Sequence, residues 1–143
     1  MAGQLALASG DYATAAERFG KANALQPDDG LYLGHLASAL AAAGRTPDAR
    51  AALAWAERFP PSSADAWMAL GAAWDRVGDA DRAVAAFVAA RSAGLKGPGA
   101  DLASALALAR AGRTAEARRI LTDASARFPD SAAVKQVQAR LSH

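Results

Sequence analysis

The sequence predicts an all-α protein, a solenoid of stacked helix–turn–helix units. Three observations predict it. Gly10, Gly44, Gly78 and Gly112 each stand 34 residues after the one before, and self-similarity at a fixed period of this size marks a repeat architecture. Other columns keep the same register: Ala15, Ala49, Ala83 and Ala117; Phe19, Leu53, Phe87 and Leu121; Ala22, Ala56, Ala90 and Ala124; and Pro27, Pro61 and Pro129, with Leu95 as the exception. Finally, 43 of the 143 residues are alanine, so the chain is 52% hydrophobic yet only 6% aromatic. That composition favours helices with thin side chains that pack closely.

Each unit reads as helix A, a tight turn, helix B and a linker. The glycine ends helix A, where a left-handed backbone is cheap only for glycine. Asp11, Thr46, Asp79 and Thr114 follow it and offer side-chain oxygens to the first amides of helix B, and Pro47 suits a first helical position. The alanine columns let the two helices of a unit approach, the Phe/Leu column fills the space between them, and the proline closes helix B. Unit boundaries fall at 1–29 for a partial first unit, then 30–63, 64–97 and 98–131, with a terminal helix over 132–143.

In order along the chain, residues 1–9 form about two helical turns around Leu5. In the second unit Leu33, Leu36 and Leu40 share one helix face. In the third, Ser62 or Ser63 caps helix A, and Trp67, Leu70 and Trp74 repeat the stripe as core. The fourth departs: Asp101 and Ser104 stand where the others carry large apolar residues, and Leu102, Leu106 and Leu108 supply the apolar content. Its linker, GLKGPGAD, is glycine-rich, so its helix A is expected to be rotated or to start late. Val134, Val137 and Leu141 make a stripe on the last helix, which either caps the array or opens a truncated further unit.

These columns carry a resemblance. GDYATAAERFGKANALQPDD, Gly10 to Asp29, is similar to the second half of a tetratricopeptide repeat, and AWMALGAAW, Ala66 to Trp74, to the first half. The resemblance covers essentially the whole chain. It implies a right-handed tetratricopeptide superhelix of about 3.5 repeats plus a C-terminal capping helix. Met1 then falls at about the sixth place of a repeat. This is the start expected of a piece cut from a longer protein, or of a frayed terminal repeat.

The chemistry-bearing residues are few. There are two histidines, His35 and His143, no cysteine, no metal-ligand spacing and no nucleophile-elbow sequence around any serine. The chain is therefore expected to be no enzyme and to need no cofactor. Asp28–Asp29 and Asp79/Asp81 read as helix-start carboxylates. A net charge of +2 with arginines scattered over all units gives no basic stripe, so nucleic acid is not expected as a partner. No apolar run approaches the ~20 residues of a membrane span.

Function then falls to surface. The resemblance implies a concave side lined by helices A, where the corresponding places hold Gln4 and Ala8; Leu31, Gly34, His35 and Ser38; Asp65, Met68, Ala69, Ala72, Asp75 and Arg76; and Leu102, Leu106 and Arg110. The expected function is a non-catalytic scaffold, part of a larger bacterial protein, that holds a partner protein's helix or extended segment against Leu31, His35, Ser38, Asp65, Met68, Ala72, Arg76, Leu102, Leu106 and Arg110. A family subgroup binds C-terminal carboxylates through a lysine/asparagine/arginine clamp. Its places here hold Gln4, His35, Asp65 and Ala69, so that activity is not carried over. His35 is either a recognition group or a half-exposed surface residue, and Leu102 and Leu106 either form a groove ridge or pack inward. Trp55, on helix B, marks an outer contact site or lies on its own helix. Two alternatives stand beside the scaffold: a self-assembling array, a homo-oligomer, and a carbohydrate-binding domain of a bacterial polymer-export system.

Overall fold

The computed structural model describes residues 30–58 and 60–142, and in addition Thr14, Glu17, Arg18 and Lys21. The partial first unit, its turn at Gly10, the Asp11 cap, and Gln4 and Ala8 of the groove lie outside the described residues. Among the described residues there are seven helices and no strand. They are α1 (Gly30–Ala42), α2 (Thr46–Arg58), α3 (Ala64–Arg76), α4 (Ala80–Ser92), α5 (Gly99–Arg110), α6 (Thr114–Arg127) and α7 (Ala132–Leu141). The odd members α1, α3 and α5 are helices A, and α2, α4 and α6 are helices B. The chain is an all-α helical-repeat solenoid.

The repeated turn has one construction. Gly44, Gly78 and Gly112 take φ of 80°, 85° and 80°, the left-handed region in which a Cβ would be strained. Each turn reverses the chain through a pair of backbone bonds. Gly44 N–H donates to Ala41 and Arg45 N–H to Leu40 (3.1 and 2.8 Å), and the same pairs recur from Gly78 and Asp79 to Asp75 and Trp74, and from Gly112 and Arg113 to Ala109 and Leu108. The last carbonyls of each helix A are thus satisfied without water.

Helices B begin in two ways. At Asp79 there is a side-chain cap. At Thr46 and Thr114 threonine is the first helical residue, so that Pro47 is the second, after an arginine paired with the acid three places on from it. Asp79 caps α4, its Oδ1 accepting from Arg82 N–H at 3.0 Å. Thr114 does not cap α6. It is the first helical residue, and Arg113 stands before it with no side-chain cap. The Arg113 guanidinium instead reaches Glu116 in the first turn of α6 and Asp81 on α4, so negative charge beside the helix start does the work of the missing cap.

The columns of the sequence become the core. Ala49, Ala83 and Ala117 are completely buried where helices A and B of a unit meet, as are Ala90 and Ala124. Leu53, Phe87 and Leu121 fill the gap between them. Trp74 is buried, with the Arg82 guanidinium 5.1 Å above its ring. Trp67 is half-buried and packs on the same cluster.

Stacking between units is uneven. Helices α1 and α3 pack along their length, whereas α3 and α5 scarcely touch, and the third unit meets the fourth mainly through α4 and α5. The core divides accordingly into a larger cluster over the second and third units and a smaller one of Ala80, Ala105, Leu108, Ala117, Leu121 and Val137. One column explains the difference. Gly34 occupies the place at which α1 crosses α3, and a Cβ there would stand 2.7 Å from Ala69 Cβ. The same place on α3 holds Met68, whose side chain does not permit such an approach to α5.

The expected rotation of α5 is not found. Asp101 and Ser104 point inward like Trp67 and Leu70 and are 5% and 4% exposed, and the helix merely starts one place later, at Gly99. The buried carboxylate is tolerated because two arginines come to it from helices B of successive units. Arg91 Nη1 donates to Asp101 Oδ1 at 3.1 Å, and Arg127 Nη2 lies 3.0 Å from Oδ2. The second pairing is electrostatic only: Oδ2 is buried and takes no hydrogen bond.

Helix α7 covers α6. Val134 and Val137 are buried, Ser131 Oγ accepts from Val134 N–H at 3.2 Å, and Arg118 donates twice to the Leu141 carbonyl at the far end.

Candidate functional site

Where α1 and α3 approach closely at Gly34, the side chains flanking that crossing line an open recess on the face of helices A. Leu31 and His35 from α1, and Asp65, Met68 and Ala69 from α3, line a cavity of about 410 Å³. Residues four apart on a helix share a face, which is why Leu31 sits with His35 and Asp65 with Met68 and Ala69. Leu31 belongs to neither core cluster, while Met68 is half-buried against the larger one. Among the described lining residues the walls are mostly apolar, and the one carboxylate is the exposed Asp65.

Asp65 stands in the first turn of α3 but does not cap it, since Ser63 Oγ accepts the Ala66 N–H at 3.1 Å. His35 is half-buried, and burial lowers its pKa below the ordinary value. The imidazole is therefore neutral at physiological pH.

That shift has a consequence for stability. The folded chain binds the His35 proton less readily than the unfolded chain does. The neutral imidazole's contribution is complete above the unfolded value, about 6.5, and is lost as pH falls through it toward the lower folded value. Melting temperatures followed from about pH 7.5 to about pH 5 should fall more steeply for the wild type than for His35→Gln. Parallel slopes would contradict this placement of the histidine.

The other expected groove residues are not gathered into that cavity. Ser38 is half-buried one turn further along α1, and Ala72 is exposed one turn along α3. Arg76 is exposed at the end of α3. Leu102 and Leu106 are half-buried and pack against the smaller core cluster, so they are at least partly structural. Arg110 is engaged by Asp75, an ion pair that bridges α3 and α5 beside a second cavity of about 270 Å³. On the outer side, Trp55 on α2 and Val88 on α4 are 44% and 50% exposed, the large apolar side chains left at the surface among the described residues. The Arg91–Asp101–Arg127 cluster escaped sequence reasoning. A charge at an otherwise apolar core place was visible, but its partners lie ten residues before and twenty-six after it.

Among the described residues there is no group of three potential metal ligands, and no helix is long and apolar enough to cross a membrane.

The tetratricopeptide repeat family model matches residues 6–73 and 76–141. The chain belongs to the tetratricopeptide repeat family. Repeats of this family generally mediate protein–protein interaction and are typically non-catalytic scaffolds. Among curated proteins, none matches the chain.

Proposed function

We propose that this tetratricopeptide repeat domain is a non-catalytic docking module that holds a segment of a partner protein against helices A, centred on the cavity between α1 and α3. The observation that carries the reading is that cavity: about 410 Å³, walled by Leu31, Met68 and Ala69, with Leu31 outside both core clusters of the described residues. An open, mostly apolar recess with a few polar groups suits the anchor residue of a partner segment. The segment extends over Ser38 and Ala72 and onward to Arg76, Leu102, Leu106 and Arg110. Among the described residues that line the cavity there is no phenylalanine, tyrosine or tryptophan, the side chains on which sugars usually stack.

Met68→Glu tests the reading, with Leu31→Glu beside it because Leu31 lies outside both core clusters of the described residues, whereas Met68 packs against one. Each should abolish capture of the partner from lysate of the source organism. The Leu31 variant should stay folded, at a cost of about 1 kcal/mol, the typical effect of a single substitution. Undiminished capture by folded variants would place the functional surface elsewhere.

A further inference from the structure

The chemistry of the cavity specifies more than an apolar anchor. We infer that it receives a lysine or arginine side chain of the partner segment, with the aliphatic stem against Leu31 and Met68 and the cationic head on Asp65. The inference rests on the docking reading above and adds the chemical identity of the anchor.

The carboxylate of Asp65 is the starting point. Elsewhere in the described residues most carboxylates are used internally: Asp48, Glu57, Asp75, Asp81 and Asp101 each have an arginine within ion-pair distance, whereas the exposed Asp123 and Asp130, which line no cavity with Leu31 and Met68, do not. Asp65 has none. It is exposed, and its helix start is already capped by Ser63. His35, in the same cavity, does not cancel its charge, because burial lowers the histidine pKa and keeps the ring neutral. The result is a mostly apolar recess of about 410 Å³ in which Asp65 is the one anion among the described lining residues.

A lysine or arginine matches both parts, since its methylenes lie along apolar surface while the head stays at the wet rim. Its hydrogen bond to a carboxylate is charge-assisted and stronger than a neutral one. A carboxylate anchor would meet the repulsion of Asp65. A purely aliphatic anchor would fill the walls and leave the anion unanswered.

A displayed library of random peptides, selected against the full chain, tests this. The wild type should enrich peptides with lysine or arginine at one fixed position beside aliphatic residues. A selected peptide should bind Asp65→Asn about tenfold more weakly, the loss expected when one charge-assisted bond is removed. Changing that peptide's lysine to norleucine should cost about as much, and combining the two changes should add little, because both remove the same contact. Three results would overturn the inference and leave the docking reading standing, provided binding still depends on Met68: selected peptides without a basic position, peptides with an acidic anchor, or a basic anchor indifferent to Asp65→Asn. A library that yields no peptide sensitive to Met68→Glu overturns both.

Discussion

Replacing Arg91 and Arg127 together by methionine should destabilise the domain by about 3–5 kcal/mol, the range for stripping the partners from a buried charge. Asp101 is 5% exposed, and its two oxygens face one arginine each, at 3.1 and 3.0 Å. With both gone, the carboxylate keeps no counter-charge and must stay ionised in an apolar seam or take up a proton. The opposite deletion is milder. The arginine side chains are 40% and 37% exposed, so after Asp101→Leu they turn to water. The triple change to leucine and two methionines should recover most or all of the wild-type stability, since a well-packed apolar replacement of a buried ion cluster is often neutral or better. Chemical denaturation of the three variants reads this order directly. A double arginine variant as stable as the wild type would mean that Asp101 reaches water by another route.

The cluster also shows where the sequence stops being legible. Most of what repeats was readable, because a period of 34 converts directly into equivalent places: the positive-φ turns at Gly44, Gly78 and Gly112, the alanine columns and the Leu53/Phe87/Leu121 wedge follow from local geometry common to the described units. What varies between units was not. Asp101 in a core column suggested a helix out of register. Its register holds because Arg91 and Arg127 converge on it, and that convergence depends on how α4, α5 and α6 dock. The column of Gly34, Met68 and Leu102 looked like a variable surface place, whereas at Gly34 it sets how closely successive helices A approach. Thr114 matched a capping pattern, yet the Arg113–Glu116–Asp81 network supplies the charge instead. The candidate groove was legible as a set of places on one helix face. Its concentration at Leu31, His35, Asp65 and Met68 needed the close crossing of α1 and α3 in three dimensions.

That crossing yields the second large effect: Gly34→Leu should lose about 3 kcal/mol or more, at or beyond the top of the range for overpacking. Even Gly34→Ala should be destabilising, against the usual trend. Alanine in a helix interior normally gains roughly 0.5–1 kcal/mol over glycine. Here the added Cβ would lie 2.7 Å from Ala69 Cβ, 2.8 Å from Ala69 C and 2.9 Å from Leu70 N. Two of those atoms are backbone and cannot rotate aside, so α1 and α3 must part. Overpacking of about 1–3 kcal/mol then outweighs the propensity gain, for a net loss of about 1–2 kcal/mol. Gly99→Ala is the matched control, because nothing lies within 4 Å of a Cβ built there. It should be neutral or stabilising by a few tenths of a kcal/mol. The same methyl group thus changes sign between two helices A of one chain. Parting α1 from α3 also separates Leu31 and His35 from Met68 and Asp65, so the folded Gly34→Ala protein should bind a peptide selected by the wild type more weakly, without any change to a cavity-lining residue. If Gly34→Ala melts no lower than the wild type, the contact between α1 and α3 is looser than the 2.7 Å approach requires.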